Sequence, residues 1–158
     1  MDWSGIYLTQ QYGVNAAFAG LAYTFFAIAM TTGRFTGDYL IRYFGEKKLL
    51  TYSAICATLG LALVSIAPYW WLVLVGYTLV GTGCSNIVPI MFSRAGRQTV
   101  MPSAVALSCV STMAYTGILV GPAFIGMVSE LIGLSTVFMA LSGLLLLIVA
   151  LNRFTYVK

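Results

Sequence analysis

The distribution of charge along the chain is the feature that most constrains its fold. No charged residue lies between Leu49 and Ser93, and Glu130 is the only one between Gln98 and Asn152. Each of these stretches is long enough for two helical crossings, since about 20 apolar residues span a hydrocarbon core of roughly 30 Å. Only 8% of all residues are charged, against about 25% in soluble domains. We therefore predict an all-α membrane protein.

The basic residues indicate how such a protein would be oriented. They form three clusters separated by the uncharged stretches: Arg34, Arg42, Lys47 and Lys48; Arg94 and Arg97; Arg153 and Lys158. An even number of crossings between clusters puts them all on one side of the membrane, and the positive-inside rule makes that side cytoplasmic. The prediction is one domain, 1–158, in the inner (plasma) membrane, with the N-terminus outside and the C-terminus in the cytoplasm.

Counting crossings outward from the three clusters gives a five-transmembrane-helix bundle. The predicted crossings are at about residues 15–33, 49–67, 70–92, 103–129 and 134–151. A polar, basic loop is expected over Ser93–Met101, between the third and fourth crossings.

Residue types that commonly form catalytic or metal-binding sites are absent from the chain or too far apart in it. The chain has no His, and its four Asp and Glu residues do not form a metal-ligand cluster. We therefore expect no enzyme, no metal and no cofactor. The net charge of +4 is not organised as a basic groove with interleaved aromatic residues, so nucleic acid is not an expected partner. The expected partners are the lipid bilayer and a small-molecule solute.

The segment between the first two crossings, Gly33–Lys48, combines glycines with charges. Gly33 and Gly37 are four residues apart, so they share a helix face and permit close helix packing. Asp38 and Arg42 have the same spacing and can pair along the helix. These charges and glycines agree equally well with a charged stop signal between two spans and with a functional loop. The candidate loop-motif residues are Gly33, Arg34, Gly37, Asp38, Arg42 and Gly45.

This segment resembles the loop motif of the major facilitator superfamily (MFS), in the variant of fucose-permease-like and YbjJ-type bacterial transporters. That variant reads Gly-Arg-Phe-x-Gly-x-x-Leu-x-x-x-Phe and is matched by Gly33, Arg34, Phe35, Gly37, Leu40 and Phe44. Asp2-Trp3 resembles the outer end of helix seven of those transporters, and residues 121–126 resemble the Gly-Pro stretch of helix eleven. The resemblance implies the C-terminal half of a transporter, helices eight to twelve plus the end of helix seven, with the N-terminal half absent.

One departure from the superfamily pattern concerns its acidic residue. The commonest form of the motif has Asp three residues before the last glycine, where this chain has Arg42. The resemblance therefore implies a gating role for Asp38 only weakly.

Polar side chains on the predicted crossings are candidates for contact with a solute, because polar groups facing lipid are costly. They are Tyr23, Thr24, Asn86, Ser108, Thr112 and Tyr115. Three of them, Ser108, Thr112 and Tyr115, lie in the fourth predicted crossing at spacings of four and three, so they form a stripe on one helix face. The position equivalent to Tyr115 is also a tyrosine in the transporters that the chain resembles. The alternative is that these polar residues form hydrogen bonds between helices rather than contacts with a solute. The pair Gly117 and Gly121 likewise favours close helix packing.

The resemblance implies alternating-access transport of a small polar solute such as a sugar, with an N-terminal transporter half as partner. The alternative is a small membrane interaction protein that does not transport, or a non-functional gene fragment.

Overall fold

The computed structural model describes residues 3–154, without the side chains of residues 16, 17, 148 and 152–154. The predictions that concern Asp2, Lys158 and the side chain of Arg153 lie outside the described residues. Within that range the chain is almost entirely helical. The helices are α1 (Ser4–Tyr12), α2 (Ala16–Ala19), α3 (Leu21–Phe44), α4 (Glu46–Ile66), α5 (Trp70–Ser85), α6 (Ile87–Arg97), α7 (Ser103–Ile132) and α8 (Leu134–Phe154).

Four helical segments of the described chain are long and apolar enough to cross a membrane. They are Glu46–Ile66, Trp70–Arg97, Ser103–Ile132 and Leu134–Leu151, and they coincide with the second to fifth predicted crossings. The predicted first crossing is not among these segments. Its residues fall in α2 and α3, and α3 carries Arg34, Asp38 and Arg42 along its second half, which lowers its hydropathy. A crossing over residues 15–33 stays a prediction.

The predicted start of one loop was wrong, and one predicted crossing contains a break within the helix. The loop over Ser93–Met101 begins only after Arg97, because α6 continues to that residue. Arg94 and Arg97 occupy the last turn of α6, where positive charge offsets the partial negative charge of a helix C-terminus. The predicted third crossing is two helices, α5 and α6, which meet at Asn86.

Glycines allow α5 to pack closely between α3 and α4. A Cβ atom on Gly83 would lie 2.6 Å from the Ser53 carbonyl oxygen and 2.7 Å from Ala57 Cβ, both on α4. On the other side of α5, a Cβ on Gly81 would lie 3.1 Å from Ala29 Cβ on α3. These helices and α8, which packs on α4, hold most of the buried residues.

In contrast, α7 lies at the edge of this bundle. It packs on α6 and α8, and Ala106 is the only buried one of its 30 residues, all of which are described. Large apolar side chains such as Leu131, which is 82% exposed, project from it. Most of the surface of α7 is therefore not covered by the described chain.

The short helix α1 is fixed to the ends of α4 and α8 by two tyrosines. The Tyr7 hydroxyl donates to the Val64 carbonyl oxygen at 2.9 Å and lies 2.8 Å from Ser135 Oγ. The Tyr12 hydroxyl donates to the Ala67 carbonyl oxygen at 2.6 Å. Although α1 is only 9 residues long, it is an integral part of the bundle.

We predict that Gly83→Ala destabilises the protein by about 1–3 kcal/mol, the usual range for overpacking a tight contact, because the new methyl group would contact the α4 backbone. Reversible unfolding in mixed micelles, followed by circular dichroism, measures the change. Gly117→Ala on α7 is the matched control, since no atom of another described helix lies within 4 Å of a Cβ at that position. Equal stability of the two variants would contradict the tight α4–α5 contact.

Candidate functional site

A groove of about 570 Å³ runs along the first half of α7 and includes two of the predicted solute contacts. It is lined by Ala104, Val105, Ser108, Cys109, Thr112 and Met113. The Thr112 hydroxyl donates to the Ser108 carbonyl oxygen at 2.9 Å. That bond uses the hydroxyl hydrogen and leaves the oxygen as an acceptor towards the groove.

The third predicted contact of this helix, Tyr115, lies three residues beyond Thr112 and on the same face. It is 67% exposed, and within residues 3–154 its hydroxyl makes no hydrogen bond. At Gly117 and Gly121, for which helix packing was predicted, no atom of another described helix lies within 4 Å of a Cβ position. The polar stripe of α7 and its glycines thus face open space.

The structure does not place the predicted contacts of α3 in this groove. Tyr23 and Thr24 lie near the start of α3 and are exposed. The Thr24 hydroxyl donates to the Gly20 carbonyl oxygen at 3.1 Å within its own helix. The predicted contacts therefore occupy separate surfaces of this chain.

Asn86 lies at the junction of α5 and α6 and is only 4% exposed. Its Nδ2 donates to Ser85 Oγ at 3.0 Å, and its Oδ1 packs against Gly37 of α3. Ser85 packs against Gly33 in the same way. Pro89 follows in the first turn of α6 and has no N–H for the Ser85 carbonyl. This position fits the interpretation in which Asn86 bridges helices.

Two arginines of α6 pair with the first residue of α4. Arg97 Nη2 donates to Glu46 Oε1, and Arg94 Nε lies 3.9 Å from Glu46 Oε2. No local sequence pattern predicts these pairs, because Glu46 and Arg97 are 51 residues apart. Such partly exposed pairs contribute about 0–1 kcal/mol each, so they orient the two helix ends more than they stabilise the fold.

The remaining loop-motif residues lie on or next to α3. Gly45 ends that helix with φ of 77°, and its N–H donates to the Ile41 carbonyl oxygen at 2.9 Å. Arg34, Asp38 and Arg42 are exposed. The predicted pair between Asp38 and Arg42 is not formed among the described side chains, so these charges project freely from α3.

We predict that Gly37→Ala and Asn86→Ala are strongly non-additive. A methyl group at position 37 would clash with Asn86 Oδ1, so Gly37→Ala alone should destabilise by about 1–3 kcal/mol. In the double variant the shortened side chain at position 86 leaves room for that methyl group. Unfolding of the four proteins of the cycle should give a coupling energy of at least about 0.5 kcal/mol. Additive effects would contradict the α3–Asn86 contact.

The chain is similar in sequence to known membrane proteins. The sequence model of the Major Facilitator Superfamily matches residues 3–157. An uncharacterized MFS-type transporter of Yersinia pestis is 40% identical over 153 residues, which are 97% of this chain and 40% of that protein. Membrane protein MosC of Rhizobium meliloti is 35% identical over 133 residues, 84% of this chain and 33% of MosC.

An uncharacterized transporter of Sinorhizobium fredii is 32% identical over 130 residues, 82% of this chain and 34% of that protein. The chain thus spans between 33% and 40% of the length of these curated relatives. No solved structure matches the chain. Since the family model covers nearly all of the sequence and the described helices include four candidate membrane spans, the chain is a multi-pass, all-α membrane protein that belongs to the major facilitator superfamily.

Proposed function

We propose that this chain is the C-terminal half of a secondary transporter that moves a small polar solute by alternating access. The observation that carries this proposal is the open polar stripe of α7, Ser108, Thr112 and Tyr115, beside its groove of about 570 Å³. Exposed polar groups on a membrane helix are costly in lipid. A solute cavity between two transporter halves gives such a stripe a polar environment.

The partner in this proposal is an N-terminal half with its own set of membrane helices. Two observations support it. The face of α7 that carries Ser108, Thr112 and Tyr115 is uncovered in the described chain. The chain also corresponds to at most 40% of the length of its curated relatives. Family membership favours transport over enzymatic catalysis.

The solute class follows from the side chains of the stripe. Hydroxyl groups and a phenol exchange hydrogen bonds with neutral polar molecules, and the stripe carries no charge. The loop pattern from Gly33 to Phe44 adds support for the fucose-permease-like branch of the family. A neutral sugar is therefore the first solute to test.

We predict transport by a chimera in which residues 1–158 replace the matching region of the Yersinia pestis relative. Uptake of radiolabelled neutral monosaccharides into liposomes measures it. Thr112→Val and Tyr115→Ala should each lower uptake by about two- to tenfold, because losing a hydrogen bond to the solute costs about 0.5–1.5 kcal/mol and a tenfold change corresponds to about 1.4 kcal/mol.

The matched control is Phe124→Leu, an exposed residue of α7 that lies away from the polar stripe. Its uptake should equal that of the unmodified chimera. The half-transporter proposal would be wrong if the purified 158-residue chain moved a solute by itself and Tyr115→Ala abolished that transport.

The orientation of the chain is a further part of the proposal. The pairs of Glu46 with Arg94 and Arg97 join the start of α4 to the end of α6. Arg42, in the last turn of α3, and Lys47 and Lys48, in the first turn of α4, therefore lie at the same end of the bundle, while Arg34 lies near the middle of α3. By the positive-inside rule this end faces the cytoplasm. The connection at Tyr69 then faces outside.

We predict that green fluorescent protein inserted after Gln98 fluoresces in a bacterial host, because that reporter folds in the cytoplasm. Alkaline phosphatase inserted after Tyr69 should be active, because it folds outside the inner membrane. Colony fluorescence and phosphatase assays read the two results. Activity of the reporters in the opposite combination would overturn the orientation.

A further inference from the structure

A second groove, of about 420 Å³, lies beside α1 and is called the outer groove. Because α1 is bonded to the end of α4 and the ion pairs of Arg94 and Arg97 lie at the start of α4, the outer groove and these arginines are at opposite ends of the bundle. The groove runs between α1 and the junction of α7 with α8. Its principal side chains are Trp3, Tyr7, Gln10, Gln11, Ser129 and Glu130. None of its lining residues belongs to the groove on the first half of α7, so the two are distinct sites.

Three polar side chains of this outer groove have no partner within the described part of the chain. They are the amides of Gln10 and Gln11 and the carboxylate of Glu130, all of them exposed. The Ser129 hydroxyl donates to the Gly126 carbonyl oxygen at 2.8 Å, which leaves its own oxygen as an acceptor. The groove therefore offers one full negative charge together with several neutral hydrogen-bonding groups.

One wall of the groove is aromatic and fixed in place. The indole N–H of Trp3 donates to the Pro122 carbonyl oxygen at 3.1 Å. Its ring lies on Gly126, where a Cβ would be 2.7 Å from Trp3 Cζ2. Tyr7 is buried, and its hydroxyl is bonded to α4 and α8. A rigid indole face beside a carboxylate is a suitable surface for an organic cation.

The electrostatic setting of the groove also favours a cation. Five of the described Lys and Arg residues, Arg42, Lys47, Lys48, Arg94 and Arg97, lie at the other end of the bundle, and Arg34 lies near the middle of α3. Helix α7 ends at Gly133 and α1 at Gly13, and helix C-termini carry about half a negative charge each. The N-terminus of α8, at Leu134, opposes this effect, so the full charge of Glu130 decides the sign.

A metal ion fits the groove less well. Calcium takes about six to eight oxygen ligands, usually with several carboxylates, whereas Glu130 is the only carboxylate among the described residues that line the groove. The described residues also contain no group of three or more metal-ligating side chains.

We propose that the outer groove binds a small organic cation, an amine or a quaternary ammonium ion. Its charge would lie against the Glu130 carboxylate, and its apolar part would rest on the indole of Trp3. This binding site is separate from the solute site proposed on α7 and does not require transport.

The test measures binding of benzyltrimethylammonium to the purified 158-residue chain in nanodiscs of neutral lipid, by equilibrium dialysis. Saturable binding is expected, and Glu130→Gln should weaken it by at least about tenfold. Trp3→Leu should also weaken it, with circular dichroism confirming that this variant keeps its helices. Benzylsulfonate, an anion of similar size, should not bind.

Asp38→Asn is the matched control, because Asp38 is an exposed carboxylate at the basic end of the bundle. Its affinity should equal that of the unmodified chain. The proposal is overturned if Glu130→Gln binds as tightly as the unmodified chain, if benzylsulfonate binds equally well, or if no saturable binding occurs. None of these results would change the transport expected of the chimera, so the two proposals fail independently.

Discussion

The close packing of α5 between α3 and α4 is the interaction on which the rest of the structure depends. Lipid is as apolar as the helix surfaces, so association inside a membrane relies on van der Waals contact and interhelical hydrogen bonds. Gly81 and Gly83 supply that contact on opposite sides of α5 by letting backbones approach where side chains would not fit. With α8 against α4, these helices form a core that needs no contribution from most of α7.

This division gives the molecule a closed side and an open side. The closed side is completed by α1, whose Tyr7 joins the ends of α4 and α8. The open side is the surface of α7, where polar and apolar residues are exposed alike. This arrangement agrees with the proposed role as a transporter half, in which the core would move as a unit against the other half and α7 would line the cavity between them.

The bilayer made part of this fold predictable. It imposes a minimum length on each apolar stretch, so the charge-free segments indicated the four candidate spans. The loop over Ser93–Met101 was misplaced because Arg94 and Arg97 were read as loop residues, although they suit the end of a helix.

Contacts between residues that are far apart in the chain could not be predicted from the sequence. The Glu46–Arg97 pair and the bond between Tyr7 and Ser135, 128 residues apart, depend on how the helices pack. The outer groove was missed for the same reason. Gln10, Gln11 and Glu130 show no common spacing, and only the docking of α1 brings them together.

The break at Asn86 shows how the core accommodates an interruption inside a membrane span. Backbone groups freed at such a break must find partners within the protein. Asn86 and Ser85 are buried against Gly37 and Gly33, so the two glycines of the loop motif make room for the polar side chains of the junction. Beyond it, α6 is tied to α4 by partly exposed ion pairs, each worth about 0–1 kcal/mol. The core thus holds α5 by close backbone packing, whereas α6 is held by the fully buried Ile90, which clusters with Leu49 and Leu50 of α4, and the charge pairs add to that contact.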